Sequence, residues 1–427
     1  MKKRVVITGM GVAAPNAVGL QNFLEAIKKG QSGIQFFQQL KDLNFSCQLG
    51  GKPHISEDIL NTYFTPLQLR GLNSSGIVYG VIAGTDAWTD AGLKMNNESP
   101  DWDSGIIFGT GILGVDKFRE AIQLIDEGKT RRLGSTSVVQ TMASGISAYL
   151  GGILGCGNQV TTNSSACTTG TEALLMGYDR IVSGKASRML VGSCGDDGPY
   201  VWGGFDAMRV LPSKFNDKPE KASRPMSSTA TGFVPGSGAG ALVLEDLDSA
   251  LERGARIYAE VLGGEINSGG QRGEGSMTAA NNEAVIRCIT AAMKNSGIHA
   301  DEIDCINGHL TATTRDVTEI ENWKKALNRP TDQFPYINSL KGMTGHCLSA
   351  SGSIECVAAV LELKDQFIFP NINAEDILPE ILDLIPTEKI PQKLEHKKIN
   401  ILAKASFGFG DVNAVAIFKK YSENTIS

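Results

Sequence analysis

Short runs of β-branched and small apolar residues alternate along this chain with longer stretches whose apolar positions recur every three to four residues. The first kind reads as buried strand, the second as amphipathic helix. Expected strands are Val5 to Thr8, Gly105 to Phe108, Gln159 to Thr162, Met189 to Gly192, Ala239 to Leu244 and Ile257 to Val261. Asp304 to Asn307, Ile399 to Lys404 and Ala414 to Phe418 complete that set. Helical periodicity spans about Leu20 to Lys29, Gly76 to Ala91, Val115 to Glu127, Thr171 to Ser183 and Asn282 to Asn295. The alternation predicts an α/β protein. Pro199 to Thr231, rich in Gly, Ser, Pro and charge, is expected to be irregular capping structure.

At 427 residues the chain is long enough for two large cores or one domain of two similar halves, placed here at 1–257 and 258–427. A net charge of −6 leaves no nucleic-acid footprint on the whole molecule. The eight cysteines form no C-x-x-C pair and read as reduced thiols of a cytoplasmic protein. The charged start Met1-Lys2-Lys3-Arg4 imitates a signal peptide, but its apolar run stops at Thr8-Gly9. No run of about 18 apolar residues suggests a membrane span. Gly9-Met10-Gly11-Val12-Ala13-Ala14 fits the dinucleotide pattern, yet Pro15-Asn16 fall where the phosphate-binding helix should run, so a turn is expected instead.

The candidate chemistry centres on Cys167, in Ser164-Ser165-Ala166-Cys167-Thr168-Thr169-Gly170 between a strand-like and a helix-like run. A cysteine at a helix N-terminus is expected to favour the thiolate, with a lowered pKa, although a lone cysteine is more often inert core. Two histidines follow. His309 lies after a strand in Asn307-Gly308-His309-Leu310-Thr311, and His346 ends Lys341-Gly342-Met343-Thr344-Gly345-His346. Near the C-terminus, Ser406-Phe407-Gly408-Phe409-Gly410 is a glycine-hinged aromatic loop. A faint internal echo sets Val160 to Ser183 beside Pro335 to Lys364, with Cys167 before Glu172 in one copy and His346 before Glu355 in the other. Two stacked halves whose helix starts face one shared site would produce it.

With these segments in order, and with Arg224-Pro225, Gly232-Phe233-Val234 and Gly236 to Gly240 between them, the chain resembles the elongating β-ketoacyl-[acyl carrier protein] synthases, condensing enzymes of the thiolase superfamily. The resemblance runs from Lys3 to about Lys419. It implies a thiolase-like five-layered α/β/α/β/α sandwich of two related halves, usually dimeric, working without a cofactor. Cys167 would accept an acyl group from a carrier thioester. Neutral His309 and His346 would stabilise the enolate left when a malonyl thioester loses carbon dioxide. Lys341 and Glu355 match positions that orient the histidines. Phe407 matches the residue that gates the acyl pocket and offers an oxyanion N–H. Two histidines without an obvious third ligand do not suggest a metal site.

The acidic acyl carrier protein implied as partner should dock on basic residues around the pocket mouth. Lys129, Arg131 and Arg132 form the best cluster, and Arg70 and Arg209 fall at matching positions, whereas Leu67 and Gly71 replace two further basic ones. Other departures from the housekeeping fatty-acid enzymes are Leu310 and Thr314 after the first histidine, Ser227, Ala230 and Thr231 after Arg224-Pro225, Ser237, and Asp411 after the Gly-Phe-Gly loop. They favour a specialised condensing enzyme of an aryl-polyene, pigment or polyketide-like pathway over housekeeping elongation. A cysteine hydrolase would leave one histidine and Lys341 without work. A coenzyme A thiolase would carry a second cysteine near the C-terminal loop, and a non-catalytic chain-length partner would lack Cys167. A homodimer and a heterodimer with such a partner both remain open.

Overall fold

The computed structural model describes residues 3–95 and 98–422, so Met1 and Lys2 of the charged start lie outside the described residues. Ten strands form one path through a large mixed sheet. In chain order they are β1 (Val5–Ala14), β2 (Ser104–Thr110), β3 (Val160–Thr161), β4 (Arg188–Gly195) and β5 (Gly238–Asp246). The second set is β6 (Ala259–Ser268), β7 (Cys305–Asn307), β8 (Tyr336–Asn338), β9 (Ile401–Gly408) and β10 (Val412–Lys420). The spatial order is β8-β7-β9-β10-β6-β1-β5-β4-β2-β3, and a short strand at Ala17–Val18 pairs with β1 as the eleventh. Read outward from the β1–β6 seam, each half repeats the same topology: two antiparallel neighbours, then parallel ones.

Seven helices matter for the argument: α1 (Leu20–Lys29), α2 (Ser75–Asp90), α3 (Val115–Asp126), α4 (Thr169–Val182), α5 (Asn282–Ser296), α6 (Arg315–Leu327) and α7 (Ser351–Asp365). α2 packs on the first half's strands and α5 on the second's, whereas α4 and α7 touch strands of both halves. The layers therefore run helix, sheet, helix, sheet, helix, which is the α/β thiolase fold. α7 is buried along nearly its whole length, from Ser351 to Leu363, as a middle-layer helix must be. Small hydroxyls join the layers symmetrically. Thr171 Oγ1 of α4 lies 2.9 Å from Ser406 Oγ of β9, and Ser353 Oγ of α7 lies 2.7 Å from Ser193 Oγ of β4.

Two local expectations change. Gly9 to Ala14 is not a turn but the continuation of β1, paired with β5 through Ala13. Its glycines serve packing: a Cβ on Gly9 would lie 2.5 Å from Ala91 N, and one on Gly11 2.7 Å from Ala87 N, so only glycine lets α2 approach. Within Pro199 to Thr231, Pro199–Ala207 is a helix with Pro at its first position, and its Val201 and Trp202 are buried. The remainder of that stretch is irregular apart from a single turn at Pro219–Lys221.

Candidate active site

Cys167 lies on a tight 3₁₀ turn, Ala166–Thr168, immediately ahead of α4. Ala166 takes φ 51°, a left-handed conformation that costs an L-residue about 1–2 kcal/mol. A local network holds it there. Ser165 N–H donates to Thr169 Oγ1 at 2.9 Å, and Thr169 Oγ1 donates to the Ala166 carbonyl at 2.7 Å. Glu172 accepts from Asn163 Nδ2 at 2.9 Å and from Ser165 Oγ. The equivalent turn, Leu348–Ala350, precedes α7 with Leu348 at φ 52°. Aligning the turns pairs Cys167 with Ser349 and His346 with Ser164, so the sequence echo is real as strand–turn–helix but its side chains are not equivalent.

His309 follows β7 on a loop threaded by two carboxylates of α6. Glu319 accepts the N–H groups of His309 and Leu310, each at 2.7 Å, and Asp316 accepts those of Thr311 at 2.8 Å and Ala312 at 3.1 Å. Burial pushes the Glu319 carboxyl up to about 7 against those two bonds. His346 Nδ1 accepts the Leu348 N–H at 3.0 Å, which leaves its proton on Nε2. His309 Nδ1 has no hydrogen-bond partner among the described residues. The two rings sit edge to face with centroids 5.4 Å apart.

Cys167, His309 and His346 each offer one ligand-type atom, all within 4.8 Å of one another. Sequence reasoning found no third ligand beside the histidines; the fold brings the Cys167 sulfur there. Three protein ligands with an open position also describe a catalytic zinc site, so the trio alone does not separate the two chemistries. The cavities do. One of about 230 Å³ runs past Ile112, Val201, Phe205 and Leu348, and another of about 430 Å³ past Met208, Thr278, Thr313, Arg315 and Phe407. Cys167, Phe233, His346 and Phe409 border both, so two largely apolar cavities meet at the thiol.

Electrostatics keep the imidazoles neutral. Burial, then the Lys341 charge, holds both His309 and His346 well below the usual histidine range. Lys341 Nζ donates to Glu355 Oε1, and both side chains are buried. The expected lowering of the thiol is not found. Burial pushes Cys167 up to about 11, opposed by Lys341 and by the N–H groups of Phe409 and of Cys167 itself. The helix proper begins two residues later, at Thr169, so desolvation outweighs its terminus.

The backbone donor also differs from expectation. Phe407 lies inside β9, paired in register with Asn413 of β10, so it belongs to the ladder. Phe409, the first residue beyond the strand, brings its N–H to the Cys167 sulfur and borders both cavities. Phe407 borders only the larger one, with its ring 6.1 Å from that of His309. The repeated Phe-Gly-Phe motif was the available signal, and only the strand's end tells the two phenylalanines apart.

Lys129, Arg131, Arg132, Arg70 and Arg209 are all exposed, and none borders either cavity. Lys129 pairs with Glu127 at 2.6 Å. Arg209 is flanked by Met208 and Val210, which line the larger cavity. Two residues escaped the sequence reading. Arg315, exposed on the first turn of α6, lines the larger cavity. Lys404, buried in β9, was legible as a lysine in an otherwise small apolar run.

The profile of "Beta-ketoacyl synthase, N-terminal domain" matches residues 2–250, and that of "Beta-ketoacyl synthase, C-terminal domain" matches residues 258–375. A 3-oxoacyl-[acyl-carrier-protein] synthase 2 of Vibrio harveyi is 33% identical over 427 residues, covering 99% of this chain and 100% of the relative. Among solved structures, a type II PKS acyl-carrier protein in complex with its ketosynthase bound to the hexaketide superposes with a TM-score of 0.87 at 27% identity, covering 99% and 100% of the two chains. The ishigamide ketosynthase/chain length factor does so with a TM-score of 0.87 at 26% identity, again over 99% and 100%.

Proposed function

The chain belongs to the β-ketoacyl synthase family and is a β-ketoacyl-[acyl carrier protein] synthase, and on that premise we propose that it joins an acyl group held on Cys167 to a malonyl unit delivered by an acyl carrier protein. The observation that carries this reading is the meeting of two cavities at a thiol within 4.8 Å of two imidazole nitrogens. One cavity suits the acyl chain and the other the incoming malonyl thioester.

In the first half-reaction the Cys167 sulfur attacks the acyl thioester carbonyl, and the carrier's sulfur leaves with the thiol proton. The N–H groups of Phe409 and Cys167 face the oxygen that becomes negative. In the second, the malonyl C–C bond breaks and carbon dioxide departs. The electron pair moves onto the thioester oxygen, toward the Nε2–H of His346 and toward His309. Neutral imidazoles donate there without quenching the carbanion. The enolate carbon then attacks the acyl-Cys167 carbonyl and the Cys167 sulfur leaves, giving a β-ketoacyl chain two carbons longer. Lys341 and Glu355 hold the histidines' electrostatic setting.

We assign the enzyme to a specialised polyene, pigment or polyketide-type pathway, with housekeeping elongation as the alternative. The support lies in the departures around the site. Leu310 is buried behind His309, Ser237 Oγ donates to the Gly195 carbonyl at 2.7 Å, and Asp411 accepts the N–H groups of Asn281 at 2.7 Å and Gln271 at 2.9 Å. Asp411 thereby ties the Phe409 loop to the rim of the larger cavity. A second subunit, identical or chain-length-factor-like, suits α3. That helix turns Phe118, Ile122 and Ile125 outward, about half exposed, and buries Lys117 instead. No helix among the described residues is long and apolar enough to cross a membrane, and eight free thiols fit a cytoplasmic setting.

Intact-mass measurement of the purified protein with a panel of acyl carrier thioesters tests the function. A mass increase of one acyl group, absent in Cys167→Ala, is expected, and its chain length and saturation distinguish the pathways. Loading on another cysteine would overturn the assignment.

A further inference from the structure

Lys404 is fully buried in β9, between Asn307 of β7 and Ala416 of β10 in the sheet register. A charged side chain in that interior must be paired to be tolerated. Its Nζ lies 2.9 Å from Glu355 Oε2 and 3.1 Å from Ser406 Oγ, and it donates to the Ala405 carbonyl. The other Glu355 oxygen accepts from Lys341. One carboxylate thus sits between two ammoniums, and the three side chains are each no more than 2% exposed. Such a triad carries one surplus positive charge. A single Lys–Glu pair would carry none.

The surplus charge lies beside the histidine pair. In the ring around the histidines, Cys167 lies within 4.8 Å of both, Glu319 and Asp316 of α6 accept from the His309 loop, Lys341 with its partner Glu355 stands five residues before His346, and Lys404 pairs in register with Asn307, two residues before His309. After burial and Lys341, Lys404 is a further cation disfavouring the charged form of both imidazoles. No other buried cation in that ring is contributed by the strand that leads into the Phe409 loop.

We infer that Lys404 is a positioning residue for the condensation step: by pairing with Glu355 Oε2 it fixes a surplus positive charge beside His309 and His346, which keeps both imidazoles neutral, so that they donate N–H to the enolate oxygen without protonating its carbon. The inference rests on the condensing reading for the step it serves, whereas the electrostatic coupling itself does not. The same charge favours the negative oxygen that decarboxylation creates, so one lysine serves both the donors and the developing anion.

Histidine-selective NMR of the full-length protein tests the coupling without substrate. The chain has five histidines, of which His54, His299 and His396 are exposed and serve as internal references. In the wild type, His309 and His346 should stay neutral until well below the usual histidine range. In Lys404→Gln both should protonate at higher pH than in the wild type, and in Lys404→Arg they should behave as in the wild type. As pH is lowered, β-ketoacyl formation from the malonyl carrier should begin to fall at a higher pH in Lys404→Gln than in the wild type, with the acetyl carrier left by protonation of the enolate appearing in its place. Acyl loading on Cys167 should stay near the wild-type rate. Should Lys404→Gln fail to fold, Lys404→Met carries the same readout. Unmoved histidine titrations in a folded neutral variant overturn the role of Lys404. A wild type that releases no carbon dioxide overturns the condensing reading, whatever the titrations show.

Discussion

Gly170 and Gly352 meet where α4 and α7 cross: a Cβ on Gly352 would lie 2.7 Å from Thr171 N, and one on Gly170 2.6 Å from Ser193 Oγ and closer still to Ser353 N. The missing side chains let two helix starts touch. That contact sets the Ala166–Thr168 and Leu348–Ala350 turns side by side, and so brings Cys167 of the first half to His346 of the second.

Gly170→Ala should therefore destabilise the protein by about 1–3 kcal/mol, the usual cost of overpacking a filled core. Denaturant unfolding measures it. A midpoint equal to that of the wild type would mean that the crossing relaxes without cost.

The Cys167 thiol, held up at about 11 by burial, should be mostly protonated at neutral pH. Its alkylation by iodoacetamide, followed by peptide mapping, should keep rising with pH through the range 7 to 9, about tenfold per unit, as expected while the thiolate fraction is small. A plateau below pH 7 would show a thiolate stabilised beyond what Lys341 and the two N–H groups supply.

His309→Ala or His346→Ala should leave acyl-Cys167 formation measurable and cut carbon dioxide release by about 100-fold or more, the cost of one lost donor to a developing oxyanion. Cys167→Ala should abolish acyl-enzyme and product yet retain some decarboxylation. Histidine variants that release carbon dioxide normally but fail to load would reverse the assignment.

Both histidines are held well below the usual range in the folded protein. Below about pH 6.5 the unfolded chain binds protons that the folded protein refuses, so stability present above 6.5 is lost as pH falls toward the folded values. Each histidine contributes a loss of about 1.4 kcal/mol per pH unit across that window. Unfolding free energies at pH 7 and 5.5 should differ less in His346→Gln than in the wild type. Equal differences would show that His346 is protonated in the folded state.

Charge reversal at Lys129, Arg131 and Arg132 should slow condensation with carrier-bound substrates by about tenfold at low salt and less at high salt, as screening predicts. Alkylation of Cys167 should be unchanged. A rate unaffected at every ionic strength would move the docking site elsewhere, and Arg315 at the cavity rim is then the next position to reverse.

Periodicity placed the long elements well, because a helix face or a buried strand leaves its own record in the residues it contains. α1 runs over Leu20–Lys29 as expected, and α2 over Ser75–Asp90 within one residue of the expected bounds. The failures fall where neighbours decide. Gly9 and Gly11 read as a turn because glycine usually signals one, but here they admit α2 against a strand. Pro199–Ala207 is helical because Val201 and Trp202 find a core to enter.

The sequence by itself determined the reactive inventory: one cysteine in a small-residue block, two histidines in glycine-rich loops, and the strand–helix alternation that carries them, since side-chain chemistry and local periodicity are properties of the chain alone. Only the tertiary structure decided that Phe409 rather than Phe407 offers its N–H to the sulfur, because β9 claims Phe407 for its ladder and releases Phe409. It also decided the thiol's protonation and the pairing of Lys404 with Glu355. Desolvation and charge pairing depend on which atoms surround a group, and those atoms come from segments distant along the chain, such as Lys341 beside Cys167.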